Sequence, residues 1–275
     1  MTVPKLNQGK LREIPIPLPP LPEQKRIVAI LDEAFTGIAQ AVAHTEKNLA
    51  NSRELFESYL NAAFRKQNGC WQIVSLSDLA TDITDGDHQP PPKTQSGIPF
   101  ITISNIGKSS HKIDFSNTFK VSQEYYGNLK DNRKPRIGDL LYTVTGSYGI
   151  PIVIDHNIAF CFQRHIGLIR PNSEINPKML YYLLLSRDLR KQADDCATGT
   201  AQKTVSLRAL RQFAVPRIEW NEQQSIVRRL DAMVNEVRRL ESLYQKKLTA
   251  LAELKQSILQ KAFAGQLTKD MEGNG

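Results

Sequence analysis

The sequence predicts an α+β protein in which two long helices, about 44 residues each, flank one β-rich domain with a mixed, mostly antiparallel sheet. Three observations carry this. Residues 11–64 recur without a gap, shifted by 199 positions, as residues 210–263, with 17 of 54 aligned positions identical. So long a period lies outside the 20 to 50 residues of solenoid repeats and reads as a duplicated module. Both copies show apolar residues at steps of three and four, and the segment between them changes to short β-like runs broken by turn residues.

Residues 3–17 align with 202–216, and Asn7 and Ser206 are equivalent N-cap candidates before a short helical turn. The stretch IPIPLPPLP then holds an extended path, because proline fixes φ and gives no N–H. Beyond it the first copy runs without proline, and its stripe contains Ile27, Leu31, Ala34, Ile38, Leu49, Phe56, Leu60 and Ala63. The second copy repeats the stripe with Ile226, Leu230, Met233, Val237, Leu248, Leu254, Ile258 and Ala262. At ~1.5 Å per residue each helix is on the order of 65 Å long, and alone it would leave its stripe in water. The stripe predicts that the helices pack as an antiparallel coiled coil, within one chain or between two. The apolar steps slip near Leu49 and Leu248, which predicts a stutter.

Between the helices, WQIVSL, PFITISNI, DLLYTVTG, GIPIVID and IAFCFQRHIGLIR are the strand candidates. Asn176 followed by Pro177 and the stripe Met179, Leu180, Leu183, Leu184, Leu189 predicts a helix. The expected division is 1–21 as the end of a preceding domain-like unit with its proline-rich lead, 22–67 as the first helix, 68–216 as the β-rich domain, 217–268 as the second helix and 269–275 as a disordered tail.

A net charge of +8 and a pI near 9.3 are compatible with nucleic acid, with the excess spread along the chain. Three cysteines without a CxxC pair fit a reducing cytoplasm. No apolar run approaches the roughly 18 residues of a membrane span, and no signal peptide is evident, so a cytoplasmic protein away from membranes is expected. Asp85, Asp87 and His88 offer the one metal-like grouping, but in a proline-bounded loop such residues serve turns more often than metals. There is no phosphate loop, dinucleotide fingerprint, HExxH helix or Asn/Asp-Pro-Pro-aromatic tetrapeptide. The chain reads as a non-catalytic binding protein with no cofactor and no metal.

The proline-rich lead into Glu-Gln (IPIPLPPLPEQKRIVAILD), its second copy (FAVPRIEWNEQQSIVRRLD), the Ala-Phe helix ends (AAF, KAFAGQL) and the middle strings GDLLYTVTGSYG and GTAQKTVSL resemble the specificity subunits of type I DNA restriction-modification systems. The likeness covers nearly all of residues 3–268, and the order and doubling of the strings is its strongest part. That family carries two target-recognition domains separated by two long helices; here one such domain is present. The resemblance implies double-stranded DNA as ligand, with each domain reading half of a split site. It also implies methylase subunits as partners and, through them, the restriction subunit, with S-adenosylmethionine and ATP held by those partners. A half-length form implies self-association through the helices to restore two reading heads.

Within the domain, residue chemistry selects the DNA-contact candidates. Lys93, Lys108, Arg164 and Lys203 suit phosphate, or guanine for Arg164; Asn105, Gln163 and Gln202 suit adenine; Ser104, Ser147, Tyr148 and Thr200 add hydrogen bonds to either. Arg228, Arg229, Arg238, Arg239, Lys246 and Lys247 on the second helix read chiefly as a solvated face. Two other readings stand beside this one: a coiled-coil scaffold whose domain binds protein, and a nuclease built on Asp85, Asp87 and His88.

Overall fold

A computed structural model describes residues 8–16, 18–65, 71–89 and 91–268. In chain order the elements are α1 (Gln8–Arg12), α2 (Leu21–Ala63), β1 (Gln72–Ser75), β2 (Ala80–Asp85), β3 (Ile98–Ile101), β4 (Phe119–Val121), α3 (Gln123–Asn128), β5 (Leu140–Thr143), β6 (Pro151–Val153), β7 (Cys161–Phe162), β8 (Ile166–Pro171), α4 (Pro177–Leu185), α5 (Arg187–Cys196), α6 (Leu207–Arg211), β9 (Ala214–Arg217) and α7 (Trp220–Phe263). The tail expected at 269–275 lies outside the described residues. The chain divides into two compact units, residues 1–54 with 236–275, and residues 55–235.

The repeat is exact at the level of structure, since α1 and α6 start and stop at equivalent residues and α2 and α7 begin at equivalent residues. Each long helix opens with the same device. Gln24 Nε2 donates to Pro19 O at 2.8 Å and Gln223 Nε2 to Ile218 O at 2.7 Å, tying the first turn to the carbonyl five residues back. Glu23 and Glu222 sit in those first turns, where the helix dipole favours an acid. The predicted slip in phase does not occur. On α2 the buried positions Ile38, Thr45 and Ser52 lie seven apart, and on α7 Val237, Glu241, Tyr244, Leu248 and Leu251, all buried or half-buried, follow in alternating steps of four and three. Two of these heptad positions on α2 are polar, so a count of apolar residues misses them. Their hydroxyls are satisfied within the helix, Thr45 Oγ1 donating to Ala41 O at 2.6 Å and Ser52 Oγ to Leu49 O at 2.8 Å.

In the first unit the two helices meet with opposite chain sense: Thr268 Oγ1 donates to a Glu23 carboxylate oxygen, the Lys255 ammonium lies 5.2 Å from the Phe35 ring centre, and Arg53 Nε donates to Glu241 Oε1 at 2.7 Å. α2 also contains an 18-residue window of mean hydropathy 1.3, apolar enough by length and composition to cross a membrane, which corrects the expectation that no run comes close. Between Arg26 and Glu46 its Asp, Glu, Lys and Arg content is Asp32 and Glu33 alone.

The second unit holds the β-rich head. Its main sheet has the order β2-β8-β5-β6, antiparallel throughout. A three-stranded sheet, β4-β3-β7, joins β3 to β4 antiparallel and to β7 parallel, and β1 pairs with β9 antiparallel. β5 is buried at every residue, as expected of a strand covered on both faces. The single strand predicted through IAFCFQRHIGLIR is two, because β7 ends and β8 begins on either side of a turn at residues 163–165. β2 and β4 were not legible in the sequence: ATDITD carries two aspartates and FKV is only three residues long. α4 starts as predicted, with Asn176 Oδ1 accepting the Lys178 N–H at 2.9 Å and Pro177 in the first turn. One core packs α4, α5 and β5 against Phe213, Val215, Ile226 and Leu230, and a second gathers Ile152, Phe160, Phe162 and Leu168. Asp231 on α7 accepts from Tyr182 Oη at 2.6 Å and Lys178 Nζ at 2.7 Å, fixing the helix to the head.

Candidate nucleic-acid interface

Four segments distant in sequence are stitched side by side at one end of the main sheet, where β2 and β5 stop and β8 starts. Backbone bonds make the seam. Asp87 N donates to Phe162 O at 3.0 Å and Arg164 N to Asp87 O at 3.0 Å, joining the loop after β2 to the turn before β8. Val144 N donates to His165 O at 2.9 Å, adding the turn after β5. Val205 N donates to Val144 O at 2.8 Å and Gly146 N to Lys203 O at 2.9 Å, adding the loop that follows α5. That loop is closed on itself by the reciprocal pair Thr198 and Thr204. Loops held in this way present side chains from a fixed backbone, the condition for reading a surface.

Two glycines show how tightly the seam is drawn. A Cβ on Gly86 would lie 1.9 Å from Phe162 O, so only glycine allows the first loop to approach the second. Gly146 has φ of 72°, which the turn GSYG requires and a side chain would resist.

The structure brings Gln163, Arg164, Ser147, Tyr148, Thr200, Gln202 and Lys203 onto these stitched segments. Arg164, Thr200, Gln202 and Lys203 are exposed, and Gln163, Ser147 and Tyr148 half-buried. Lys93 stands farther along the first loop, its ammonium 5.1 Å from the Phe119 ring centre. Ser104, Asn105 and Lys108 follow β3 and are not on the seam. Asn105 is buried, its Oδ1 accepting from Thr102 N and Oγ1 at 2.9 Å each and its Nδ2 donating to Asn117 O at 2.9 Å. Both ends of the amide expected to pair with adenine are thus spent on the turn. Ser104 Oγ is 2.8 Å from Thr102 Oγ1, and Lys108 is exposed in a tight turn where Gly107 N donates to Lys112 O at 3.0 Å.

Lys93, Lys108, Arg164 and Lys203 form no ion pair among the described residues. The acids nearby are, by contrast, engaged. Arg133 reaches Asp85 Oδ1 at 3.4 Å and Asp87 Oδ1 at 3.5 Å, and His88 Nε2 lies 3.0 Å from Asp85 Oδ2. Burial first, and then the hydrogen bond it gives Asp87, push the Tyr125 hydroxyl above the usual tyrosine range. Among the described residues no group of three His, Cys, Asp or Glu is arranged to hold a metal ion. Two contributors escaped sequence reasoning. Arg133 neutralises the Asp85–Asp87 pair, and Arg190 donates to Gly149 O at 3.2 Å while its guanidinium lies 5.8 Å from the Tyr148 ring centre. Tyr148 Oη in turn donates to Asp194 Oδ1 at 2.9 Å, which raises its pKa. Only the four-residue spacing of Arg190 and Asp194 on α5 hinted at this clamp. Burial, and then the neighbouring Arg164 charge, lower the pKa of His165, so it stays neutral near pH 7.

Such a surface offers cations, amides and hydroxyls on a hydrogen-bonded backbone, groups able to bond phosphates and base edges. Comparison with known proteins points the same way. Residues 1–48 and 68–250 match the family model described as the type I restriction modification DNA specificity domain. The chain is 26% identical over 294 residues to the type I restriction enzyme EcoBI specificity subunit of Escherichia coli, covering 98% of this chain and 61% of that one. It is 24% identical to the MjaVIII specificity subunit of Methanocaldococcus jannaschii, over 96% of this chain and 65% of that one. The curated relatives are therefore longer, and this chain spans less than two thirds of each. Among solved structures, one describing complex assembly and conformational transition of the type I R-M system matches with a TM-score of 0.74 and 25% identity, covering 92% of this chain and 62% of that one. The HsdS subunit from Thermoanaerobacter tengcongensis shares the fold with a TM-score of 0.63 over 96% of this chain and 64% of that one.

Proposed function

The chain belongs to the family of type I restriction-modification DNA specificity domains, and from that premise we propose that its head, residues 68–216, reads one half of a split DNA site for a type I restriction-modification complex. The observation that carries this reading is the seam itself: Arg164, Thr200, Gln202 and Lys203 stand exposed on segments joined by backbone hydrogen bonds. Lys93, Lys203 and Arg164 contact phosphates, with Arg164 also able to grip guanine; Gln163 and Gln202 read base edges, and Ser147, Tyr148 and Thr200 complete the set. Asn105 supports the loop from beneath, Ser104 lies beside it, and Lys108 contacts phosphate at the margin.

The long helices α2 and α7 serve as an antiparallel coiled coil that spaces the head and docks methylase subunits, through which the restriction subunit joins. The opposed contacts Glu23–Thr268, Phe35–Lys255 and Arg53–Glu241 support that arrangement. The chain itself carries out no reaction and holds no cofactor, works in the cytoplasm, and self-associates through its helices when a second head is needed.

Co-expression with a type I methylase subunit, followed by mapping of methylated genomic sites, tests the proposal. A defined interrupted motif is expected, symmetric if two copies pair and asymmetric if another chain supplies the second head. Replacing Gln202 with Ala and Arg164 with Ala should degrade one half-site only. Methylation without sequence preference, or a motif unmoved by both changes, contradicts it.

A further inference from the structure

The turn Gly-Ser-Tyr-Gly at residues 146–149 is shaped by two left-handed residues, with φ of 72° at Gly146 and 86° at Gly149. Both conformations favour glycine, and at each the space a side chain would take is filled from outside the turn. A Cβ on Gly146 would lie 2.9 Å from Gln202 Nε2, and one on Gly149 would lie 2.7 Å from Arg190 Nη1. The loop after α5 therefore leans on one end of the turn, and α5 itself on the other.

Thr143 fixes the backbone from within. Its Oγ1 donates to Ser147 O at 2.7 Å and accepts the Ile150 N–H at 3.0 Å, while Gly149 N donates to Thr143 O at 2.9 Å. The Tyr148 side chain is set from α5 instead. Tyr148 Oη donates to Asp194 Oδ1 at 2.9 Å, the Arg190 guanidinium lies 5.8 Å from the ring centre, and Arg190 Nη1 donates to Gly149 O at 3.2 Å. Arg190 Nε is 3.9 Å from Asp194 Oδ1, so two residues four apart on one helix face hold the turn together. α5 is itself anchored: Leu189 and Ala193 are buried, and the Gln192 amide bonds both the N–H and the carbonyl of Ala214 in β9. Arg190 thus differs from Arg164 and Lys203, which form no ion pair among the described residues, because its donors already face acceptors of the protein. Ser147 is the residue of the turn whose side chain takes part in none of these bonds.

We propose that Arg190 is a positioning residue for base reading: braced by Asp194, it holds Tyr148 and Gly149 and so sets where Ser147 meets the DNA. The inference rests on the DNA reading proposed above and adds to it a residue that touches no nucleotide. Direct phosphate contact would need only a positive charge at residue 190, whereas bracing needs the planar fork of arginine, which lies over a ring and bonds a carbonyl together.

The test co-expresses the full chain with a type I methylase subunit and maps methylated genomic sites for Ser147→Ala, Arg190→Ala, Arg190→Lys and Tyr148→Phe. Ser147→Ala and Arg190→Ala should relax the same base positions of one half-site, lowering discrimination there about tenfold. The double variant should relax them no further than either change alone. Tyr148→Phe, which loses only the bond to Asp194, should relax those positions less, and Arg190→Lys should not restore the parent motif. The salt dependence of DNA binding should be unchanged in Arg190→Ala, because no phosphate contact is lost. Its melting temperature should stay within about 3 °C of the parent's, as for other exposed helix positions. A motif unmoved by Arg190→Ala, full recovery with Arg190→Lys, or a salt slope shallower by about one unit overturns the proposal. If Arg190→Ala melts far below the parent, Tyr148→Phe decides, and an unmoved motif there overturns it equally. Ser147→Ala leaving the motif intact while Gln202→Ala degrades it overturns this inference and leaves the DNA reading standing; a motif indifferent to both Gln202→Ala and Arg164→Ala defeats the two together.

Discussion

Residues 11–64 and 210–263 are the same module twice, yet within these 275 residues the head closes over the second copy and leaves the apolar strip of the first, Leu11, Ile14 and Ile16, exposed. α1 and α6 occupy equivalent residues, and the glutamine tie at the head of each long helix recurs within 0.1 Å. Local sequence therefore sets the helices, their starts and their phase. Burial is set by what the chain supplies around them: Val215 lies in the core because β1 and α5 cover it, and Ile16, equally apolar, does not. Equivalent side chains in the two copies should lose very different amounts of stability to the same substitution.

The largest contrast comes from placing a carboxylate in each strip. Val215→Asp buries a charge without a partner and should cost about 4 kcal/mol or more, enough to unfold the head; Ile16→Asp should stay within about 0.5 kcal/mol. Denaturant unfolding followed by the fluorescence of Trp71 and Trp220 reads both. Equal losses would mean that the first strip is also covered.

Next comes the glutamine pair. Gln223→Ala removes bonds to Glu174, Asn176 and Ile218, a loss of about 2–3 kcal/mol, while Gln24→Ala removes one bond to Pro19 and should cost under about 1 kcal/mol. Melting temperatures of the two variants would rank them; a reversed order breaks the comparison.

The smallest effect is on pH. Burial holds the His111 and His165 pKa values below the ordinary 6.5 of a free histidine. The unfolded chain then takes up protons that the folded head does not, so stability present above pH 6.5 is lost as pH falls below it. Thermal melts between pH 7.5 and 5.5 should show this decline, and His111→Gln should flatten part of it.

Much of this was legible in residues. The repeat predicted two helices of about 44 residues, and α2 and α7 run for 43 and 44, though the expected bounds 22–67 and 217–268 overran their ends by three to five residues; Asn176-Pro177 marked the start of α4. The phase of the coiled positions was not, because Thr45 and Ser52 are hidden hydroxyls that bond to their own helix. Nor was the seam. Its members are drawn together by backbone bonds such as Arg164 to Asp87 and Gly146 to Lys203, and backbone groups are identical in every residue. Residue chemistry could nominate Arg164 and Lys203 together with Asn105; only packing separated the exposed cations from the amide spent on its own turn.

DNA binding by the methylase complex across a range of salt tests the central claim most directly. The account predicts that Lys203→Glu weakens affinity at least tenfold and shallows the dependence of log K on log salt by about one unit, while Lys246→Glu on α7 changes neither by more than about twofold. Unchanged binding after Lys203→Glu, with loss after Lys246→Glu, would move the DNA from the head to the helices and contradict it.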